Sequence, residues 1–259
     1  MTIHVDVENG VATVVFDDPA TLNAMSAPRI AELHRIVEGI AAEPELRVLL
    51  MRAEGPAFGA GGDIASLRPD AADAPTLLRE IGRELNPLIL RLHALPAIVV
   101  AAVHGAVAGG SVGLIGAADL VIAADDTRFN MAYSRLGASP DAGNSWFLPR
   151  LVGARTALEW LLLSDTFDAE TARAAGLVNR VVPASQLRAE TDRLVARLLG
   201  GARGSQARIK RLVRQSEDTP LARQLDDEIE HFAQATASAD FAEGVAAFLQ
   251  KRVPRFGQP

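Results

Sequence analysis

Three apolar runs, separated by longer helical segments, limit the possible folds of this chain more than any other feature. The runs are LRVLLMRA, AIVVAAVHG and LVIAADD, which begin at Leu46, Ala97 and Leu120. Continuous apolar runs of this length are typical of strands covered on both faces, and the helical segments between them supply crossovers. Because such crossovers are right-handed and join parallel neighbours, the sequence predicts an α/β fold with a largely parallel sheet.

The chain changes character on either side of this alternation. IHVDVEN and VATVVFDD alternate with period two around Asn9 and Gly10, which predicts a starting β-hairpin. A long helix before Ala97 is expected to kink or break near Pro87. Beyond Gly143 nearly every segment has helical character, and LLGGARGS (198–205) predicts a flexible connector. We therefore expect a core over residues 1–198 and a C-terminal helical region over residues 199–259.

Composition and charge exclude several functional classes. The 259 residues contain no cysteine, which removes disulfides, thiolate metal sites and a cysteine nucleophile. The formal charge of −6 argues against nucleic acid as a partner, and the basic segment RIKRLVR (208–214) is interpreted as a solvated helix face. No apolar run is long enough to cross a membrane and the first residues do not resemble a signal peptide, so we expect a cytoplasmic protein.

Two glycine-rich loops are the candidate binding elements. EGPAFGAGGDI (54–64) and HGAVAGGSVG (104–113) each follow a buried strand, where backbone N–H groups are free to point at a ligand. Neither loop has the spacing of a dinucleotide fingerprint, and no Gly-Lys-Ser or Gly-Lys-Thr completes a P-loop. Two readings stay open: simple tight turns, or two N–H donors that meet at one oxygen as an oxyanion hole.

Four ordered segments carry a resemblance to a known family. VATVVFDDPATLNAM, GPAFGAGGDI, HGAVAGGSVGLIGAADLVIAADDTRF and GLVNRVV resemble the successive signature segments of the crotonase, or enoyl-CoA hydratase/isomerase, superfamily. The resemblance implies a crotonase-like superhelix of ββα units (the ClpP/crotonase fold) and a C-terminal helical region that builds a homotrimer or a dimer of trimers. It also implies an acyl-CoA thioester substrate and no separate cofactor or metal, since CoA is part of the substrate.

The same resemblance assigns residues to the site. Gly62 and Gly110 would donate the two oxyanion-hole N–H groups that stabilise a thioester enolate. Phe248 and Lys251 would approach the CoA of a neighbouring subunit, while Thr21 stands where the family often has a basic residue for the CoA phosphates. The full set of expected substrate-binding residues is Ala60, Gly61, Asp63, Ile64, Tyr133, Asn144, Phe248 and Lys251.

The chain departs from the hydratase pattern at both acid–base positions. Hydratases of this family resemble one another in using two glutamates to hold and deliver water, and the corresponding positions here are Gly113 and Tyr133. Neither residue can act as a carboxylate base, so the usual two-glutamate hydration is not expected. In several isomerase and hydrolytic branches an aspartate in a P-D-x-G turn takes the acid–base or nucleophilic role, and here that residue is Asp141.

Asp141 has two readings from the sequence. An aspartate just before AGNSW is a plausible N-cap for the helix that follows. With the oxyanion-hole signature present and both glutamates absent, we expect instead that Asp141 is the catalytic acid/base. The flanking segment FNMAYSRLGASPDAGNSWFLPRLVG most resembles isomerases that act on ring-epoxidised phenylacetyl-CoA and on enoyl-CoA double bonds.

The sequence therefore predicts an acyl-CoA isomerase in which Gly62 and Gly110 polarise the thioester and Asp141 moves a proton or opens a strained ring. One alternative is an enoyl-CoA hydratase that works with a single carboxylate. A second alternative, from a different class, is a non-catalytic acyl-CoA-binding scaffold.

Overall fold

A computed structural model of the chain describes residues 2–67 and 73–257. The strands are β1 (Thr2–Glu8), β2 (Val11–Asp17), β3 (Val48–Ala53), β4 (Ala57–Gly59), β5 (Ile98–Val103), β6 (Ala106–Ala108), β7 (Leu120–Ala124), β8 (Arg128–Asn130), β9 (Phe167–Asp168) and β10 (Arg180–Val182). The helices are α1 (Ala27–Ala41), α2 (Ala74–Ala94), α3 (Gly110–Ala117), α4 (Asn144–Val152), α5 (Ala154–Leu163), α6 (Ala169–Ala175), α7 (Leu187–Leu199), α8 (Arg203–Gln215), α9 (Leu221–Thr236) and α10 (Ala239–Leu249).

The larger sheet has six strands in the order β1-β2-β3-β5-β7-β10. The first two form the predicted antiparallel hairpin, and every later neighbour is parallel. All six residues of β5 are buried, as expected for a central strand covered on both faces. The predicted hairpin and parallel sheet are therefore confirmed.

A second sheet of four short strands, in the order β4-β6-β8-β9, lies beside the first. The pairs β3/β4, β5/β6 and β7/β8 each give one strand to each sheet, and a helix follows each pair. This is the predicted repetition of ββα units. The strands of this sheet contain two or three residues each, which is too few for a detectable period in the sequence. Strands β4 and β6 lie within the two glycine-rich segments, and the sequence therefore predicts these segments only as loops.

Helices α1 and α2 pack against each other over the sheet and form one wall of the core. The apolar face of α1 is buried through Ile30, Leu33, Val37 and Ile40. Of the predicted kink or break near Pro87, the break is wrong, because α2 runs unbroken from Ala74 to Ala94, and the kink stays a prediction. Four buried side chains along one face, Leu85, Leu88, Ile89 and Leu92, hold the helix together through the proline by tertiary packing.

The basic segment of α8 is not a solvated face, and that prediction is corrected. Lys210 is buried and its Nζ lies 2.6 Å from Asp119 Oδ2 and 2.9 Å from the carbonyl of Ala97. Arg214 also points inward and lies 3.0 Å from Asp119 Oδ1. Within the segment the exposed residues are Ile209, Arg211 and Val213. The helix is thus fixed to the sheet by charged groups and turns its apolar side outward.

The predicted eight-residue connector is much shorter in the structure. Helix α7 continues to Leu199 and α8 begins at Arg203, so three residues join them. The carbonyl of Gly201 accepts a hydrogen bond from Arg47 at 2.5 Å, and Gln206 donates to the carbonyl of Leu198 at 2.9 Å. The predicted division between residues 198 and 199 stays a prediction. Among the described residues, no helix is both long enough and apolar enough to cross a membrane.

Candidate active site

A cleft of about 300 Å³ opens between the two glycine-rich loops, α2 and the segment that precedes α4. The first loop contributes residues 60–64 and the second contributes Gly109 and Gly110. Residues 78–86 of α2 and 131–141 form much of the opposite wall. Both predicted oxyanion-hole glycines and Asp141 therefore line one cleft, as expected from the sequence.

The first loop is held from behind by backbone contacts. The N–H of Met25 donates to the carbonyl of Gly61 at 2.7 Å. Because a trans peptide is planar, the N–H of Gly62 points in the opposite direction from that carbonyl. Gly61 has φ +90°, and a Cβ there would lie 2.9 Å from the carbonyl oxygen of Ala108, so the close approach of the two loops requires glycine.

The Ser111 side chain joins the two loops. The N–H of Gly61 donates to Ser111 Oγ at 3.2 Å, and Ser111 is the second residue of α3. The N–H of Gly109 donates to the carbonyl of Asn130 at 3.0 Å. Gly110 is the first residue of α3, so its N–H precedes the helical hydrogen-bond ladder.

Both donors are available to a ligand. In the part of the chain that the structure describes, neither Gly62 nor Gly110 donates its backbone N–H to another protein group. Two free N–H groups at the wall of a mainly apolar cleft can donate hydrogen bonds to a ligand oxygen there. Ser111, which braces the first loop, was missed by the sequence analysis because nothing distinguishes it within its run of small residues.

Asp141 is not a helix cap. The residue before α4 is Gly143, and no side chain caps the helix. Asp141 Oδ1 instead accepts a hydrogen bond from the Tyr133 hydroxyl at 2.6 Å. A methyl group placed on Gly110 Cα would lie 3.6 Å from the same oxygen. The Asp141 side chain is exposed at the cleft, beside Gly110.

Tyr133 is buried, and its hydroxyl keeps its proton. Burial raises the pKa of Tyr133 well above its ordinary value, and the adjacent negative charge of Asp141 raises it further. The hydroxyl therefore acts as a fixed donor to the carboxylate and not as a base. A donor on one oxygen fixes the orientation of the carboxylate and leaves its other oxygen for a substrate proton.

The position of the first absent glutamate is closed by packing. A Cβ on Gly113 would lie 2.1 Å from the carbonyl oxygen of Ala142 and 2.6 Å from its Cβ. Ala142 is buried and has φ +50°, in the turn that carries Asp141. The Asp141 turn therefore occupies the space that a side chain at residue 113 needs.

The other predicted substrate-binding residues lie in three places: lining the cleft, behind its wall, and away from it. Ala60, Asp63 and Ile64 line the cleft with the glycines. Asn144 is fully buried behind the wall, where its Nδ2 contacts the Gly109 carbonyl and the Tyr133 hydroxyl. Phe248 is strongly exposed on α10 and Lys251 follows that helix, and neither lines the cleft within this chain. Their approach to a neighbouring subunit stays a prediction.

Thr21 does not present a charge, but a buried cation lies next to it. Arg29 donates to Thr21 Oγ1 at 3.1 Å and forms an ion pair with Asp18. That pairing occupies the guanidinium, so the way in which the CoA phosphates are held stays open. Within residues 2–67 and 73–257, no three histidine, aspartate or glutamate side chains are grouped as metal ligands.

Comparison with known proteins gives a consistent result over the whole chain. The family model for enoyl-CoA hydratase/isomerase matches residues 6–259. A probable enoyl-CoA hydratase of Rhodobacter capsulatus is 36% identical over 259 residues, covering 98% of this chain and 97% of the relative. The 1,2-epoxyphenylacetyl-CoA isomerase of Escherichia coli is 36% identical over 251 residues, covering 96% of each chain. A crystal structure of a putative enoyl-CoA hydratase/isomerase from Mycobacterium abscessus, 33% identical, superimposes with a TM-score of 0.92 over 100% of both chains.

Proposed function

This chain belongs to the enoyl-CoA hydratase/isomerase family, and from that premise we propose that it is an acyl-CoA isomerase with Asp141 as its catalytic acid/base. The proposed substrate is an acyl-CoA thioester whose double bond is moved or whose ring epoxide is opened. Gly62 and Gly110 bind the thioester oxygen through their N–H groups. The reaction needs no metal and no separate cofactor, because CoA is part of the substrate.

Double-bond migration shows how one carboxylate is sufficient. Asp141 removes a proton from C2 of a 3-enoyl thioester, and the electron pair spreads onto the thioester oxygen as a dienolate. The two N–H donors stabilise that negative charge in a site with little water. Asp141 then returns the proton to C4 and the double bond becomes C2=C3, so a C2–H bond is exchanged for a C4–H bond with no net gain or loss of atoms.

The observation that carries the proposal is the position of Asp141. Its Oδ1 lies close to Gly110, while packing against Ala142 excludes a side chain at residue 113. The Tyr133 hydroxyl occupies the second acid–base position as a donor only. A pair of carboxylates that holds a water molecule between them is therefore not available at these two positions.

Hydration by a single carboxylate is the second candidate. It is favoured by the name of the Rhodobacter relative, a probable enoyl-CoA hydratase, which is as similar as the Escherichia coli isomerase. The two candidates predict different products, because hydration adds the mass of one water and isomerisation leaves the mass unchanged.

Mass spectrometry on a panel of 3-enoyl, 2-enoyl and ring-epoxide CoA esters separates the candidates. We expect products of unchanged mass and a conjugated thioester from a 3-enoyl substrate. Asp141→Asn removes the base but keeps the size of the side chain, so kcat should fall at least about 1000-fold. The matched control is Asp6→Asn, on the exposed edge strand β1 and outside the cleft, which should retain wild-type turnover.

Three outcomes would contradict the proposal. A product heavier by one water from 2-enoyl substrates alone would establish the hydratase. Undiminished isomerisation by Asp141→Asn would remove Asp141 from the mechanism. Binding of the esters without turnover of any of them would favour the non-catalytic scaffold.

A further inference from the structure

We propose that Asn144 is a positioning residue that fixes the direction of the Gly110 N–H and also holds the Tyr133 hydroxyl against Asp141. The inference rests on the proposed function and adds to it. It links the group that binds the thioester oxygen to the group that moves the proton through one buried amide.

The contacts of Asn144 reach both halves of the site. Its Nδ2 donates to the carbonyl of Gly109 at 3.0 Å and to the Tyr133 hydroxyl oxygen at 2.9 Å. The Tyr133 hydroxyl in turn donates to Asp141 Oδ1 at 2.6 Å. Asn144 itself is fully buried and does not line the cleft. Its effect on a bound substrate must therefore pass through Gly110 and Asp141.

The peptide between Gly109 and Gly110 carries the effect of Asn144 on the direction of the Gly110 N–H. Its carbonyl and its N–H belong to one planar trans unit and point in opposite directions. Holding the Gly109 carbonyl against Asn144 therefore directs the Gly110 N–H toward the cleft. The first loop has the same arrangement, since the carbonyl of Gly61 accepts from Met25 and the following N–H belongs to Gly62. The second loop differs in having a side-chain donor beside a backbone donor, since the Gly109 carbonyl accepts from both Asn144 Nδ2 and the N–H of Val112.

A fixed donor is needed at this point because the backbone is glycine. Gly109 has φ +48° and is followed directly by Gly110, so neither residue has a side chain that limits rotation of the peptide. The N–H of Gly109 is held by the carbonyl of Asn130, which fixes the peptide before it, and the Gly109 carbonyl accepts from the N–H of Val112 in α3 at 3.0 Å. The Asn144 amide adds a second donor to the same carbonyl, from a side chain outside α3.

The orientation of the Asn144 amide follows from its neighbours. The Gly109 carbonyl can only accept, and the Tyr133 oxygen accepts because its own proton is donated to Asp141. Both positions require the NH₂ group of the amide, which places Oδ1 on the other side. Oδ1 is buried there without a hydrogen-bond partner among the described residues. A buried acceptor without a partner is unfavourable for folding, and an apolar side chain at residue 144 would not have this cost. The two hydrogen bonds that Asn144 Nδ2 donates are therefore the contribution that an apolar side chain could not make.

Absorption of a bound chromophoric thioester tests the inference independently of turnover. Dimethylamino-cinnamoyl-CoA absorbs at longer wavelength when its thioester carbonyl is polarised by hydrogen bonds. Wild-type protein should shift the absorption band to the red on binding. Asn144→Leu keeps the volume and removes the amide, so the shift should be clearly smaller, because only the Val112 N–H then holds the Gly109 carbonyl. Its kcat on a turned-over substrate should fall about 10- to 100-fold while KM changes less than about threefold, because a displaced donor loses transition-state binding.

Two matched variants separate the effects of the two hydrogen bonds that Asn144 donates. Tyr133→Phe removes the contact with Asp141 and leaves the Asn144–Gly109 bond, so it should lower kcat and keep the red shift. Asp141→Asn should abolish turnover and also keep the shift. Thermal melting checks that each variant is folded. Asn144→Ala, which removes the amide without adding bulk, gives the same readout if Asn144→Leu is too unstable to purify.

The outcomes distinguish failure of this inference from failure of the proposed function. A wild-type red shift that both Asn144 variants retain, with kcat within about threefold of wild type, would overturn the positioning role alone. No red shift with the wild-type protein would remove the oxyanion hole and with it both proposals. Loss of the shift in Tyr133→Phe as well would show that the amide does not fix Gly110 by itself, which also contradicts the inference.

Discussion

Single residues decide which acid–base group this site can contain. Gly113 packs so closely on the turn of Ala142 that any Cβ would collide with its carbonyl oxygen. Asp141 precedes Ala142 in the same turn, and it is held by Tyr133. The loss of one carboxylate position and the placement of another therefore have a single structural cause, which is the path of residues 141–143 across α3.

Gly113→Ala should displace the Asp141 turn. The added methyl group would lie 2.1 Å from the Ala142 carbonyl, and overpacking of this kind costs about 1–3 kcal/mol of folding free energy. A shift of about 1 Å in a catalytic group lowers turnover about 100-fold, so kcat should fall by that order. Steady-state kinetics and thermal melting measure the two effects.

The control for this variant is Gly39→Ala on α1, where a Cβ meets nothing within 4 Å. It should leave kcat unchanged and add up to about 1 kcal/mol of stability, since alanine favours helix. Wild-type turnover by Gly113→Ala would mean that the Asp141 turn does not depend on this contact.

At the scale of elements, α8 shows how a surface helix can be attached by its charges. Lys210 and Arg214 reach inward to Asp119, and the N–H of Val99 donates to the same carboxylate at 2.8 Å. Burial lowers the pKa of the Lys210 ammonium, and the charge of Asp119 opposes that shift. Asp119 follows α3, so the cluster ties α8 to the helix that begins at Gly110.

Lys210→Met should weaken this attachment. Removing one partner of a buried ion pair leaves the other without full compensation, which costs about 3 kcal/mol of unfolding free energy. Arg214 still neutralises Asp119, so the loss should not be larger. Urea unfolding measures it, and Arg211→Met on the exposed side of the same helix is the control that should change stability by less than about 0.5 kcal/mol. Equal midpoints for the two variants would contradict the role of the buried pair.

At the scale of the whole molecule, an apolar surface on α8, α9 and α10 is left uncovered by the described residues. This C-terminal apolar surface consists of Ile209, Val213, Leu221, Leu225, Ile229, Phe232, Val245, Phe248 and Leu249, all of which are strongly exposed. Phe232, Val245, Phe248 and Leu249 of this surface line one groove, and exposed apolar groups of this kind are typical of protein interfaces. The trimer or hexamer implied by the family resemblance stays a prediction, and this surface is where we expect the contact.

Sedimentation velocity tests that prediction. The wild-type chain should sediment as a trimer or a dimer of trimers, whereas Ile229→Asp and Phe248→Asp should shift it toward the monomer, because each places a charge in an apolar contact. Val7→Asp, at an exposed position on the edge strand β1, should leave the assembly unchanged. A monomeric wild-type protein, or aspartate variants that assemble normally, would place the interface elsewhere.

Much of the fold was readable from the sequence, because the signals are local and strong. The hairpin around Asn9 and Gly10, the buried strand β5 and the apolar face of α1 each follow from side-chain period and turn chemistry. The exceptions have one cause. The continuity of α2 through Pro87 and the inward direction of the charged side chains of α8 both depend on packing against residues far away in the chain. Local propensity does not describe such contacts.

The sequence by itself determined which residues could take part in chemistry: two glycine-rich loops, one candidate aspartate and no carboxylate at residues 113 and 133. Only the tertiary structure decided how they are used. Asp141 could equally have capped α4, and Asn144 could have faced the substrate. The fold instead places the Tyr133 hydroxyl 2.6 Å from Asp141 and the Asn144 amide behind Gly109. Hydrogen bonds between groups distant in sequence depend on relative positions in space, and those positions are set by how β6, α3 and the Asp141 turn pack together.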